Sequence, residues 1–204
     1  MFIFVLVQIF SYIKHFGSKM KKTSKLIADT AEQLFYQKGF SNVGVDEIRD
    51  QSGCSKTTLY KYFGNKDNLI FEILKIRDLR FRQKLTETIA NLDHYESIIQ
   101  IFKWHLDWFN QDDFNGCLFV RAKEEIHNDQ ALQQLVIAHK EFIRKLIYNQ
   151  LPQTPQRTIL TNQLMVILEG LINISVVYKE NKSLYDELIN DNLDLVLKIL
   201  SQQD

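Results

Sequence analysis

A chain of 204 residues, 45% of them apolar, has the material for one sizeable core or for a small domain joined to a larger one, which excludes a disordered or fibrous polypeptide. Its 25 basic and 25 acidic residues cancel overall, yet residues 1–84 hold fifteen Lys and Arg against eight Asp and Glu, and the rest holds ten against seventeen. A basic first part suits a polyanion and an acidic remainder suits a soluble body, so the two parts face different partners.

Only two prolines and seven glycines interrupt the chain, and apolar residues recur at spacings of three and four almost throughout, so the sequence reads as all-α. Two cysteines, Cys54 and Cys117, are too few for a disulfide framework and lack zinc-site spacing, which fits a reducing cytoplasm. The opening "MFIFVLVQIFSYI" is shorter than the roughly twenty residues a membrane span needs. Its first lysine, Lys14, follows the apolar run, where a signal peptide would carry positive charge before it. Residues 1–19 are therefore read as a dispensable extension or a short amphipathic cap, with no membrane partner, and Met20 as the more natural start.

The first predicted helix carries the stripe Leu26, Ile27, Ala31, Leu34 and Phe35, is capped by Thr23 or Ser24, and stops at Lys38 and Gly39. "VDEIRDQSG" is the second, with Asp46 and Glu47 in its first turn and Gly53 free to take a left-handed conformation at its end. Ser55 can accept from the amides at 57 and 58 and so start a third helix, in which Leu59 and Phe63 point to the core. Two short helices about a glycine turn, roughly 45–64, make a helix-turn-helix. With Leu59 and Phe63 inside, Lys56, Thr57, Tyr60 and Lys61 share the solvated face, a set of donors and rings suited to base edges in a major groove. Lys66 opens a fourth helix after the capping residue Asn65, beside unpaired amides where a phosphate oxygen fits. The plain alternative is that Lys56, Lys61 and Lys66 form an ordinary solvated charge run.

Over residues 26–74 the chain resembles the DNA-binding domain of the TetR family of bacterial transcription regulators. "LF" with Gly39 and Phe40, "DEI", "SGCSKTTLYKYF" and "NKDNL" carry the resemblance. It implies an all-helical homodimer of about nine helices: a three-helix DNA-binding domain, then a larger helical domain that binds an effector and dimerises. The domains so implied are a non-core extension at 1–19, DNA binding at 20–66, and effector binding and dimerisation at 67–204. By position Lys56, Thr57, Tyr60 and Lys61 would approach bases and Thr58, Tyr62 and Lys66 would hold phosphates, with Gly44 and Ser55 completing the DNA-binding set. Two positions depart from the pattern. Gly44 stands where a Thr or Ser usually caps the second helix, and Arg49 replaces a small or apolar residue.

The fourth helix runs from Lys66 to about Ala90, and its polar face, with Arg77, Arg80 and Arg82, reads as solvated. A helix from Glu96 to Phe109 carries Trp104 and Trp108 one turn apart. "NGCLFVRAKEEI" starts another, capped by Asn115 or Gly116, and "GCLF" at this place recurs in one branch of the family. Residues 130–150 form a long helix ended by Pro152, Pro155 opens one to about Tyr178, and Ser183 caps the last, to about Ser201. Trp104, Trp108, Phe119, Phe142 and Tyr178 can line an apolar effector cavity or simply fill the core. Cys117 can sense electrophiles or lie buried and inert.

No paired carboxylates, activated nucleophile or metal-ligand spacing marks an enzyme, and neither cofactor nor metal is implied. The resulting expectation is a repressor that binds double-stranded operator DNA as a dimer and is released by an unidentified small-molecule effector. Activation, or control by a protein partner, is the alternative. The last two helices, through Leu164, Leu168, Leu171, Ile172, Leu188, Leu193, Val196 and Leu200, are expected to form the dimer interface.

Overall fold

The computed structural model describes residues 21–201, which form two compact units. The expected extension at residues 1–19 lies outside them. Among the described residues every regular element is a helix: α1 Lys22–Lys38, α2 Val45–Ser52, α3 Lys56–Phe63, α4 Lys66–Thr88, α5 His94–Phe109, α6 Leu118–Glu125, α7 Gln130–Gln150, α8 Arg157–Tyr178 and α9 Lys182–Ser201.

The first unit comprises residues 21–84 with Leu118–Val136. Helices α1, α2 and α3 pack on one another, because each puts apolar residues on one side at helical spacing. Ile27, Ala31 and Phe35 of α1, Ile48 of α2 and Leu59 of α3 are wholly buried, and each of the larger side chains, Ile, Leu or Phe, contributes about 1.5–3 kcal/mol. The rings of Phe35 and Phe40 meet at 5.1 Å. Helix α1 begins one residue before Thr23 and has no side-chain cap; Ser24 is buried and its Oγ donates to the Lys21 carbonyl, so neither expected cap is used. Arg77 and Arg80, expected to be merely solvated, both pair with Glu32 of α1, and Arg77 also lies over the Tyr36 ring at 4.8 Å. Arg82 pairs with the buried Asp78 one turn away.

Helix α6 fastens to the same unit through main-chain atoms. Arg121 donates to the Tyr36 carbonyl at 2.8 Å, and the Glu125 carboxylate accepts from the Ser41 amide at 2.7 Å. Gly39, at φ +85°, lets that carboxylate approach, since a Cβ there would lie 2.7 Å from Glu125 Oε1.

The second unit comprises Leu85–Cys117 with residues 137–201. Helix α8 packs on α9 and on α5. By length and composition α8 could cross a membrane, but seven of its residues, Leu164, Leu168, Leu171 and Ile172 among them, are buried within the unit. Two caps differ from expectation. Asp93 Oδ1 accepts from the Glu96 amide and starts α5 two residues early, and Asn181, not Ser183, faces the first turn of α9.

The residues expected at a dimer interface are mostly committed inside the subunit: Leu164, Leu168 and Leu171 are fully buried, and Ile172, Val196 and Leu200 nearly so. The apolar residues left exposed on these two helices are a different set, Ile159, Val166, Val176 and Val177 on α8 and Leu195 and Leu197 on α9. The correction follows from α8 being apolar around most of its circumference, which leaves periodicity unable to say which stripe the subunit covers.

Candidate nucleic-acid interface

Helices α2 and α3 are set by their ends. Gly53 closes α2 in the left-handed region at φ +67°, where a side chain would be strained. Ser55 then caps α3, its Oγ accepting from the Thr58 amide at 3.1 Å and meeting the Thr58 hydroxyl at 2.9 Å. Capping turns Leu59 and Phe63 inward, both buried, and leaves Thr57, Tyr60 and Lys61 exposed along the opposite face. Lys56, Thr58 and Tyr62 are half-buried at its margins. Gly44 precedes α2 in extended conformation, so α2 has no side-chain cap, and an added Cβ there would meet open space.

The cations of this surface differ in their partners. Lys61 makes no ion pair among the described residues. Lys56 Nζ lies 2.8 Å from Asp46 Oδ1, and Arg49 reaches the same oxygen at 2.6 Å and Asp50 at 2.6 Å. Arg49 thus turns outward into an exposed carboxylate cluster. The hydrogen bond from Lys56 lowers the pKa of the Asp46 carboxyl, against an opposing effect of burial. Lys66 is half-buried and donates to the Phe40 carbonyl at 2.6 Å, a partner sequence periodicity could not reveal because it lies twenty-six residues away. Asn65 caps α4 as expected, its Oδ1 accepting from the Asn68 amide at 2.7 Å.

The residues proposed to line an effector cavity fall in both units. Trp104, Trp108, Cys117, Phe142 and Tyr178 are half-buried in the second, whereas Phe119 is buried in the first. Trp104 and Trp108 stack edgewise on His105, and Trp108 meets Phe114 at 5.0 Å. His105 is fully buried, with Nδ1 2.8 Å from the Ile101 carbonyl, and desolvation lowers its pKa to about 4. Lys140 pairs with Glu169 at 2.7 Å. Burial opposes the Lys140 ammonium, but Cys117 and Glu169 together outweigh it and raise its pKa. Cys117 therefore sits beside the Lys140 ammonium.

The sequence pattern described as "Bacterial regulatory proteins, tetR family" matches residues 27–73, which span α1, α2, α3 and the first turns of α4. Residues 27–73 thus form a DNA-binding domain of the TetR type. Among curated proteins it is similar to the transcriptional repressor NemR of Escherichia coli K12, 27% identical over 107 residues, which are 51% of this chain and 54% of NemR. The match thus spans about half of that relative. The fold is TetR-like over nearly the whole chain: a regulator from Streptomyces coelicolor, SCO4454, superposes with a TM-score of 0.81 at 18% identity, covering 93% of this chain and 94% of that one. FadR of Bacillus subtilis, solved with stearoyl-CoA, superposes at 0.65 and 16% identity over 87% and 97%.

Within this TetR-family domain, the features that sequence reasoning missed are the partners of its charges. The Asp46 cluster, the Phe40 carbonyl under Lys66 and the Glu125 bond to Ser41 all join residues whose separation follows no helical period. The one available signal was the acidic first turn of α2, which reads equally well as an answer to the helix dipole.

Proposed function

We propose that this regulator is a cytoplasmic repressor that binds a palindromic operator in double-stranded DNA as a homodimer and releases it when a small-molecule effector occupies the second unit. The exposed face of α3, with Thr57, Tyr60 and Lys61 opposite the buried Leu59 and Phe63, is the observation that carries this reading. Lys56, Thr57, Tyr60 and Lys61 read base edges. Thr58, Tyr62 and Lys66 hold phosphates, and Gly44 and Ser55 bring the backbone of the two helix starts toward the same strand. Two such helices, one per subunit, enter successive major grooves about one helical turn or a multiple apart. Trp104, Trp108, Phe142 and Tyr178, with Cys117, supply the effector site in the second unit, to which Phe119 of the first unit does not belong. The resemblance to FadR, solved with stearoyl-CoA, favours an apolar ligand. An effector that binds one arrangement of the dimer better than the other shifts the protein out of register with its operator.

The test begins with selection of bound sequences from a random duplex library and titration of the selected operator. Lys61→Ala should lose on the order of 1–3 kcal/mol per half-site and relax preference at one base position. Equal weakening on operator and scrambled DNA would remove Lys61 from the base-reading set. Thermal-shift screening of apolar small molecules, followed by operator release, checks the effector.

A further inference from the structure

The cations at the start of α3 are not equivalent, and the difference bears on how the domain tells operator from other DNA. Lys56 is the first residue of α3 and Asp46 the second of α2. One oxygen, Asp46 Oδ1, accepts from both Lys56 Nζ at 2.8 Å and Arg49 Nη1 at 2.6 Å, and Arg49 is held from its other side by Asp50. Both partners of the Asp46 pair are open to solvent, so DNA can reach the ammonium without unfolding anything.

A lysine ammonium on its flexible stem binds any acceptor, and phosphate oxygens are offered at every step of any duplex. An untethered lysine here would add as much to random DNA as to operator. Tethering changes the balance. An ammonium has three donors, so a bond to Asp46 leaves two for base acceptors in front of the helix, while a swing to a neighbouring phosphate breaks the tether and brings the carboxylate close to an anion.

We propose that Asp46 is a specificity-determining positioning residue that keeps Lys56 directed at the groove and away from phosphate, weakening binding to DNA that lacks the matching base. The proposal rests on the reading of α3 as the DNA-reading helix. Asp46 need not touch DNA itself; it acts through Lys56.

The experiment titrates the wild type, Asp46→Asn, Lys56→Ala and the double variant against the selected operator and a scrambled duplex at several salt concentrations. Asparagine keeps the shape of the side chain and removes its charge. An exposed pair of this kind changes an equilibrium by about threefold. Asp46→Asn should therefore raise affinity for scrambled DNA about threefold per subunit, and raise operator affinity less. The salt dependence on scrambled DNA should steepen by about one phosphate per subunit. In the Lys56→Ala background these effects of Asp46→Asn should vanish. Equal gains on both duplexes, or the same gain with Lys56 absent, would overturn the proposal, since the carboxylate would then act by repelling phosphate directly or through Arg49. A wild type without preference for any duplex would instead overturn the DNA-reading assignment beneath it.

Discussion

The ammonium of Lys66 donates to the carbonyl oxygen of Phe40 across 2.6 Å and lies 5.9 Å from the centre of the Phe35 ring. It joins the start of α4 to the turn between α1 and α2, and two donors remain for a phosphate. Lys66→Ala should thus do two things at once: lower stability by about 1–2 kcal/mol in urea denaturation and weaken operator and scrambled duplexes by similar factors. Unchanged stability, or a loss confined to the operator, would contradict this double role.

Gly39 carries backbone at φ +85° and ψ 164°, a region that residues with a Cβ hardly populate. Alanine there would also press its Cβ against Glu125 Oε1 and push that carboxylate off the Ser41 amide. We expect Gly39→Ala to cost about 3 kcal/mol, combining strain with the lost bond. Adding Glu125→Ala should cost much less in that background than in the wild type, because the carboxylate is already displaced. Additive losses in denaturant melts would show that Gly39 and Glu125 are independent.

Val166 is 72% exposed on α8, whereas Leu168, two residues on, is fully buried. In the proposed homodimer, charge at the first position meets a partner, whereas charge at the second meets the chain's own interior. Val166→Glu should yield folded monomers with a dimer dissociation constant raised at least about tenfold. Leu168→Glu should fail to fold, since it leaves a carboxylate without a partner in the core. Sedimentation with circular dichroism separates the two outcomes, and an unchanged dimer for Val166→Glu would move the interface elsewhere.

His105 is buried with its pKa lowered to about 4, against about 6.5 in an unfolded chain, mainly by desolvation and against a raising hydrogen bond to Ile101. The unfolded state therefore binds the proton first as pH falls. Stability from this group is fully present above about pH 6.5 and declines toward pH 4, by an amount on the order of 3 kcal/mol at its limit. Denaturant midpoints measured between pH 7.5 and 4.5 should fall more steeply for the wild type than for His105→Gln. Parallel slopes would assign the acid sensitivity to other groups.

Much of this arrangement is legible in the sequence because helix packing is a periodic problem. Leu59 and Phe63 fix the inner side of α3, and the outer side follows by geometry. Ser55 is equally legible, being a strong cap directly after a glycine turn. At the start of α1 several polar residues compete, and at the start of α9 Asn181 precedes Ser183, so the choice depends on backbone detail that residue type alone does not carry. The partners of Arg77 and Arg80 were hidden because Glu32 lies more than forty residues earlier. The effector side is the least legible part, since a tryptophan lining a cavity and a tryptophan filling a core obey the same pattern.

The fastening of α6 has an evolutionary consequence. Arg121 and Glu125 grip a main-chain carbonyl at Tyr36 and a main-chain amide at Ser41, and every sequence that keeps this backbone path without a proline at position 41 offers those two atoms. Side chains at positions 36 and 41 can therefore drift without loosening the joint, provided Gly39 keeps the path open. The exposed face of α3, proposed above to read DNA, can then change without disturbing the joint that holds α6.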